Sequence, residues 1–335
     1  GDLIDLAIDS SHPAIIDLST ATVRTIDYAT LAARIAAVAR GLRATGLARG
    51  ERVALLAPNS SEYLAVYLGA MQAGLVVVPV NYRFPREMVE FVLRDSQARL
   101  VFCDELRRAL CPGELPTVAL DGGLDDFIDP GPFEAVVPAP AEPAMFLYTS
   151  GSTGKPKGVV LSHQSHLWTV RTRLEGQSLE SHRFLIAAPL YHMNALALAK
   201  LVLASNSTMV LLPQFDSASY AQAIERHRCT WLTAVPPMVA MMLREPGLAE
   251  RTDFSSVKVL RMGSAPVSPG LLEAIRRVMP QAAIINGYGS TEAGPVAFGP
   301  HPDGLPTPPM SVGYPHPAVQ MRLIGDGGAG AGAGA

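Results

Sequence analysis

The chain has 335 residues, of which 48% are hydrophobic, and a formal net charge of -3. This length is sufficient for two or three subdomains with large apolar cores. Acidic and basic residues are interspersed, which excludes an electrostatic site for nucleic acid or an anionic membrane surface and favours small-molecule partners.

The N-terminus, the cysteines and one long uncharged stretch indicate a cytoplasmic protein without a membrane span. Aspartates stand where an export signal needs a basic segment. Cys103, Cys111 and Cys229 lack the spacing of a disulfide framework or a metal site, so we expect buried thiols. The uncharged stretch from Tyr63 to Tyr82 divides at Gly74 into a helix and a strand, so we do not interpret it as a transmembrane helix.

The first third of the chain alternates predicted helices and strands. Asp27, or Thr25 before it, is a suitable cap for the first helix, and Ser60 or Ser61 for the second. Helices and strands follow one another over residues 27–46, 53–57, 61–72, 76–80, 85–96 and 100–103. Such alternation is typical of a parallel sheet with helical crossovers.

Residues 112–143 are rich in Pro, Gly and Asp, which predicts a surface connection. Beyond it the periodicity predicts a second parallel sheet. Its strands are expected at residues 144–148, 184–188, 209–212, 231–235, 257–262 and 283–286, and its helices around Gln164, Leu196, Tyr220, Met238 and Leu271. The sequence then becomes proline-rich after Gly294 and ends in alternating Gly and Ala, which we interpret as a chain cut near Gly325 with a low-complexity tail.

The strongest motif is YTSGSTGKPKG, from Tyr148 to Gly158, placed directly after a predicted strand. Its glycines let backbone N–H groups turn toward an anion, and its hydroxyls and two lysines add donors and positive charge. The motif is not a Walker loop, because Pro156 follows Lys155 where that loop needs a serine or threonine. We interpret it as a phosphate-binding loop.

Three weaker motifs also follow predicted strands, where parallel sheets place their ligand sites. NGYGSTEAG begins at Asn286 and offers an aromatic face, a hydroxyl and a carboxylate. MGSAP, which ends at Pro266, has side chains small enough for a flat ring to lie against the backbone. PLYHMN contains His192, for which a packed core residue and a functional one remain open alternatives. His163, His166 and His182 are interpreted as surface or helix-start residues, and no metal-binding cluster of histidines is predicted.

Taken in this order, YTSGSTGKPKG, PLYH, MGSAP and NGYGSTE resemble the adenylate-forming superfamily, which includes acyl-CoA synthetases, peptide-synthetase adenylation domains and luciferases. The resemblance implies an α/β fold with two doubly wound, mainly parallel sheets, flanking helices and the start of a small β-barrel. It implies domain limits at 1–140 and 141–310 for the two α/β subdomains, 311–325 for the barrel and 326–335 for the tail, with the C-terminal small domain absent.

The resemblance also implies a role for each motif residue. The phosphate loop would bind the β- and γ-phosphates of ATP through Thr149, Ser150, Gly151, Ser152, Thr153, Gly154, Lys155 and Lys157. The adenine and α-phosphate would be bound by Gly263, Ser264, Ala265, Asn286, Gly287, Tyr288, Gly289 and Thr291. The acid pocket would be lined by His192, Met193, Asn194, Val235, Pro236 and Gly287. Glu292, with Thr149, would hold Mg²⁺, and the residues expected to act in catalysis are Lys155, Thr291, Glu292 and His192.

The implied reaction is ATP-dependent activation of a fatty, aryl or small organic acid, followed by transfer to coenzyme A. An amino-acid substrate is disfavoured because no Asp stands in the segment after Pro237. Transfer to a carrier protein and a non-catalytic nucleotide-binding module remain alternatives, whereas a Rossmann oxidoreductase is excluded by the lack of GxGxxG after residues 53–57. The oligomeric state is open, a homodimer included.

The sequence departs from the family pattern before Ala335, since it lacks the ribose-binding Thr-Gly-Asp segment, the following Arg and the lysine of the small domain. We therefore expect these 335 residues alone to bind ATP weakly and to form acyl-AMP poorly.

Overall fold

The computed structural model describes residues 11–149, 154–294, 297–301, 303–308 and 310–322. Its strands are β1 Pro13–Asp17, β2 Arg24–Asp27, β3 Arg52–Leu56, β4 Val76–Pro79, β5 Ala98–Cys103, β6 Thr117–Ala119, β7 Pro143–Thr149, β8 Lys157–Ser162, β9 Arg183–Ile186, β10 Thr208–Leu211, β11 Trp231–Ala234, β12 Val259–Gly263, β13 Ala283–Gly287, β14 Phe298–Gly299 and β15 Tyr314–Pro315. Its helices are α1 Tyr28–Ala44, α2 Ser61–Gln72, α3 Arg86–Asp95, α4 Glu105–Arg108, α5 Leu124–Phe127, α6 His163–Leu174, α7 Met193–Ala204, α8 Ser217–Arg226, α9 Pro236–Arg244, α10 Leu248–Arg251 and α11 Pro269–Val278.

Several helices begin at side chains that cap them. The carboxylate of Asp27 accepts a hydrogen bond from the Thr30 N–H at 2.7 Å, and the Ser60 hydroxyl accepts one from Tyr63 at 3.1 Å. These bonds satisfy backbone donors that the first turn leaves unpaired. The predicted caps of α1 and α2 are thereby confirmed, with Asp27 chosen over Thr25 and Ser60 over Ser61.

The six-stranded sheet has the order β6-β5-β3-β4-β7-β8 and is parallel except for β8, which runs antiparallel to β7. The seven-stranded sheet has the order β13-β12-β11-β9-β10-β1-β2 and is parallel except for β2. Helices flank both sheets. The prediction of two doubly wound, mainly parallel sheets is confirmed.

The two sheets exchange strands across the predicted connection. The strand at residues 144–148 was expected in the second sheet, but β7 pairs with β4, where Val77 lies opposite Met145, so this expectation is wrong. β1, which the sequence analysis did not identify, pairs with β10 in the seven-stranded sheet. Local periodicity predicts a strand but not its partner, because sheet pairing is decided by distant segments. Residue 140 as a subdomain limit stays a prediction.

Residues 112–143 are more regular than expected. β6 pairs with β5 in parallel, and Leu120 and Leu124 are buried behind it. Three residues are too few to show a periodic pattern, which is why the composition alone indicated a loop.

One apolar core joins the two sheets. It contains side chains of β3 and β4 on one side and of β9 and β10 on the other, with α2 and α7 among them. Nearly every residue of α2 and α7 is buried, as expected for helices surrounded by protein. A second core packs α8, α9 and α11 on the other face of the seven-stranded sheet.

The uncharged stretch from Tyr63 to Tyr82 divides into α2 and β4, as predicted. Across the described ranges we find no helix long and apolar enough to cross a membrane. Cys103, Cys111 and Cys229 are buried free thiols, which confirms that prediction. Of the short antiparallel pair β14 and β15, only β15 lies within residues 311–325, where the barrel was expected, and the barrel itself stays a prediction.

Candidate active site

A cavity of about 740 Å³ opens at the carboxyl ends of β11, β12 and β13. Ligand sites of open parallel sheets lie at this end of the strands. Most of the motif residues beyond the phosphate loop line it together: His192, Met193, Asn194, Val235, Gly263, Ser264, Gly287, Tyr288, Gly289 and Thr291. Three separate sequence motifs therefore form one site.

The β12–β13 edge of the cavity is flat because two glycines face each other. Gly263 pairs with Gly287, and a Cβ added to Gly263 would lie 2.8 Å from the Gly287 carbonyl oxygen. Ser264 continues the turn with a φ of 66°, in the left-handed region that non-glycine residues seldom occupy. Tyr288 stands beside this edge with 51% of its surface exposed and its ring perpendicular to that of Phe298, the two ring centres lying 5.4 Å apart. An aromatic ring exposed to this extent can stack on a planar ligand.

The opposite wall is the loop from Pro189 to the start of α7. His192 is the residue before that helix, and its ring lies 4.5 Å from the ring of Tyr191. Burial by the surrounding protein, and then the charge of Arg83, lower the pKa of His192 below 6.5. Both effects favour the neutral form of His192, which lines the cavity and can form hydrogen bonds there.

The phosphate motif runs from β7 into β8, the two antiparallel strands of a hairpin at one edge of the six-stranded sheet. Thr149 lies opposite Lys157 across that hairpin, and Gly154 has a φ of 84°. Lys155 Nζ lies 5.5 Å from the centre of the Phe91 ring. Ser150, Gly151, Ser152 and Thr153 lie outside the described residues. None of the four described residues assigned to phosphate binding, Thr149, Gly154, Lys155 and Lys157, lines the cavity, so their association with it stays a prediction.

Three other predicted residues are not on the cavity wall. Asn286 donates a hydrogen bond from Nδ2 to the carbonyl oxygen of Met310 at 2.7 Å. Pro236 is buried at the start of α9, and its neighbour Pro237 lines the cavity instead. Ala265 lies just beyond Ser264 and is likewise absent from the lining.

The cavity also contains residues that the sequence analysis did not identify, chiefly Arg83, Phe215, Met241 and Arg261. Arg261 alternates with the buried Leu260 and Met262 along β12, which was a usable signal that it faces the other side of the sheet. The other three come from loops or helices that no motif marks.

Glu292 is exposed and lies on the edge of a smaller cavity of about 60 Å³ with His166 and Lys200. Within the described ranges, no group of three or more His, Cys, Asp and Glu side chains gathers as a metal site. A magnesium ion here would therefore have one carboxylate, with the substrate phosphates completing its shell, which is the usual arrangement for nucleotide-bound magnesium.

The interpretation of His166 as a surface residue is wrong. It is buried, and its Nδ1 is hydrogen-bonded to the Nζ of Lys200 on α7. Burial lowers the pKa of Lys200 to about 7. His182 is also packed rather than on the surface, with its ring 5.3 Å from that of Trp231 and its Nδ1 3.0 Å from Thr230 Oγ1. The sequence could not predict the contact between His166 and Lys200, because a single lysine in an otherwise apolar helix does not indicate which residue of another helix it will contact.

A second cavity, of about 490 Å³, lies between the ends of β1, β3 and β6 and contains no motif residue. Its arginines are paired with acids of the chain. Arg24 contacts Asp17 at 3.0 Å, and Arg34 contacts Glu62 at 3.0 Å and Asp125 at 2.6 Å. Because these arginines already have carboxylate partners, the second cavity does not need an anionic ligand to balance their charge.

The sequence model of the family described as AMP-binding enzyme matches residues 7–334. A feruloyl-CoA synthase from Amycolatopsis sp is 35% identical over 309 residues, which cover 90% of this chain and 62% of that protein. The fatty acid–[acyl-carrier-protein] ligase ScoC from Streptomyces coeruleorubidus is 32% identical over 323 residues, 90% of this chain and 61% of that protein. The chain thus spans less than two thirds of the length of these curated relatives.

Among solved structures, ATP-bound MatB from Rhodopseudomonas palustris has a TM-score of 0.86 with 28% identity. The match covers 100% of this chain and 67% of that one. The two mixed sheets and their flanking helices are therefore shared with an ATP-binding relative of known structure.

Proposed function

The chain belongs to the AMP-binding enzyme family, and from that premise we propose that its large cavity activates a carboxylic acid with ATP for transfer to coenzyme A. The observation that carries the proposal is the convergence of the His192 loop, the Gly263–Gly287 edge and the segment from Tyr288 to Thr291 on one cavity. A nucleotide and an acid must occupy adjoining positions to react. Two different walls of this cavity have the residues suited to bind them, one for the nucleotide and one for the acid.

The nucleotide would lie along the β12–β13 edge. The exposed face of Tyr288 suits stacking on adenine, and the absence of side chains at Gly263 and Gly287 lets the ring approach the backbone. The Thr291 hydroxyl would donate to the α-phosphate. The phosphate loop from Thr149 to Lys157 would bind the β- and γ-phosphates through its N–H groups, hydroxyls and lysines.

The acid would lie beside His192, Met193, Asn194, Val235 and Gly287. Because the pKa of His192 is lowered, its neutral ring can donate a hydrogen bond without fixing the carboxylate as an ion pair. A carboxylate held by hydrogen bonds keeps its oxygen available as a nucleophile. His192 would thus orient the acid, and Thr291 would orient the phosphorus that it attacks.

In the first step a carboxylate oxygen bonds to the α-phosphorus while the bond from that phosphorus to the bridging oxygen breaks, which releases pyrophosphate. In the second step the thiol sulfur of coenzyme A bonds to the acyl carbon while the carbon–oxygen bond to AMP breaks, and the thiol proton leaves. Both steps bring anions together, so the donors of Thr291 and of the phosphate loop would act by neutralisation and alignment. Glu292, with Thr149, would hold Mg²⁺, which when bound neutralises phosphate charge.

A carrier protein in place of coenzyme A is the second candidate acceptor. The relative that supports it is the fatty acid–[acyl-carrier-protein] ligase ScoC. Acyl transfer from preformed acyl-AMP to coenzyme A or to a holo-carrier protein, measured side by side, distinguishes the two acceptors.

The proposal is tested by measuring the binding of ATP and AMP calorimetrically and the formation of acyl-AMP by mass spectrometry. Replacing Tyr288 with Ala should weaken nucleotide binding by roughly tenfold, whereas Tyr288→Phe should retain it. Thr291→Val should lower acyl-AMP formation, and Thr307→Val, at an exposed threonine outside the cavity, provides the matched control. Unchanged nucleotide binding in Tyr288→Ala would refute this placement of the base.

A further inference from the structure

The large cavity contains two cationic side chains and no acidic one. Arg83 and Arg261 are both on its wall, and every other lining residue is apolar or uncharged. The cavity therefore has a net positive character in the part of the chain that the structure describes.

The guanidinium of Arg261 lies against Gly287. A Cβ added at Gly287 would lie 2.6 Å from Nη2 and 2.8 Å from Cζ of Arg261, so the group packs on a surface that only glycine provides. The side chain is partly buried and still reaches the cavity. Its planar guanidinium offers paired N–H donors to a ligand.

Arg173, from the last turn of α6, brings a second positive charge near Arg261. Burial and then the charge of Arg261 lower the pKa of Arg173 to about 9, and burial lowers the pKa of Arg261. Neither guanidinium forms a salt bridge with a carboxylate of the described chain, in contrast to Arg24 and Arg34 in the second cavity. Neighbouring like charges shielded from water are unfavourable unless an anion joins them.

We propose that Arg261 binds a second carboxylate of the substrate, so that the acid activated in this cavity is a dicarboxylic acid. This inference rests on the proposed function. Gly287, against which Arg261 packs, borders both the position assigned to the acid and the position assigned to the uncharged adenine, whereas the phosphates are assigned to Thr291 and the phosphate motif. A carboxylate matches the paired donors of a guanidinium, and an acid with a methyl group in that position would leave them without a partner.

The test compares three matched pairs of acids by calorimetric titration of the protein saturated with α,β-methylene-ATP. The pairs are succinate and butanoate, adipate and hexanoate, and terephthalate and 4-methylbenzoate, in which a methyl group replaces one carboxylate. We expect one diacid to bind roughly 10- to 100-fold more tightly than its partner. Arg261→Gln should remove that preference, and Arg261→Lys should retain part of it because the charge remains without the paired donors.

Arg276→Gln, on the exposed face of α11, is the matched control and should leave the preference unchanged. Arg83→Gln shows whether the other cavity arginine is responsible, and loss of the preference there alone would overturn the assignment. Equal binding of both members of every pair would overturn the inference, as would an Arg261→Gln variant that folds but weakens all acids alike. Failure of the proposed function has a different signature, since the ATP analogue itself would then not bind.

Discussion

Asn59 hydrogen-bonds to the backbone of Leu190 and thereby joins the two sheets beside the active-site loop. Its Oδ1 accepts from the Leu190 N–H at 2.8 Å, while its Nδ2 donates to the carbonyl oxygens of Ala188 and Leu212, each at 3.0 Å. The side chain follows β3 of the six-stranded sheet, and all three partners follow β9 or β10 of the other. One buried amide thus fixes the start of the loop that carries His192.

Replacing Asn59 with Ala should destabilise the protein by about 3 kcal/mol, because three buried backbone groups lose their partner. Urea denaturation measures the change. Asn81→Ala is the matched control, since Asn81 also follows a strand of the same sheet but makes one exposed hydrogen bond, to Arg83, and should cost less than about 1 kcal/mol. Equal effects at the two positions would contradict this role.

Lys200→Met should stabilise the protein most below about pH 7. The pKa of Lys200 falls from 10.5 to about 7 in the folded chain, so between those values the unfolded chain binds a proton that the folded chain does not. The free energy of unfolding from this group therefore rises with pH across that window, by at most about 1.4 kcal/mol per unit. The advantage of the variant should shrink accordingly.

Denaturation of both proteins at several values between pH 6.5 and 9.5 measures this difference. Lys258→Met, at an exposed lysine, is the control, and its effect on stability should stay constant over the same range. If the difference in free energy of unfolding between Lys200→Met and the unaltered protein did not vary with pH, folding would not lower the pKa of Lys200.

Gly263→Ala should destabilise the protein by about 2 kcal/mol and weaken ATP binding, because the added Cβ would lie 2.8 Å from a backbone oxygen of β13 and the strands cannot readily separate. Thermal unfolding and nucleotide titration report the two effects. Gly270→Ala, in the first turn of α11 with open space around it, should instead increase the free energy of unfolding, by at most about 1 kcal/mol. A neutral Gly263→Ala would show that the edge has room for a side chain.

Glu292→Gln should raise the Mg²⁺ concentration needed for tight ATP binding by at least about tenfold, since the neutral amide is a poorer ligand for a hard cation. Calorimetric ATP titrations at a series of Mg²⁺ concentrations, and after removal of the metal with EDTA, measure it. Binding without the metal should be similar in both proteins. Glu273→Gln, exposed on α11, is the control, and a metal dependence unaltered by Glu292→Gln would remove Glu292 from the site.

The helices and strands of this fold could largely be predicted from the sequence, but the pairing of the strands into sheets could be predicted only in part. The caps at Asp27 and Ser60 follow from side-chain chemistry acting over three residues, which a sequence shows directly. The pairing of β1 with β10, and of β7 with β4, depends on segments far apart in the chain, which periodicity does not record.

The same division holds within the candidate site. Gly263, Gly287, Tyr288 and Thr291 were identified because their motifs end strands whose carboxyl ends meet at one edge of the sheet. Arg261 was missed because its alternation with Leu260 and Met262 indicates which face of β12 it lies on, but not that a cavity lies there. The contact between His166 and Lys200 was also missed, because the two residues come from different helices.

The exchange of strands between the sheets has a consequence for how the protein is made. Ile15 in β1 pairs with Met209 in β10, so the first strand leaves the ribosome long before its partner, and the whole six-stranded sheet is synthesised in between. The seven-stranded sheet is thus not encoded by one continuous stretch of chain, whereas the strands of the six-stranded sheet, β3 to β8, are consecutive. β1 can therefore pair with β10 only after a very long segment of chain has been made, which favours slow folding. Until then β1 has no partner strand and must be protected from aggregation.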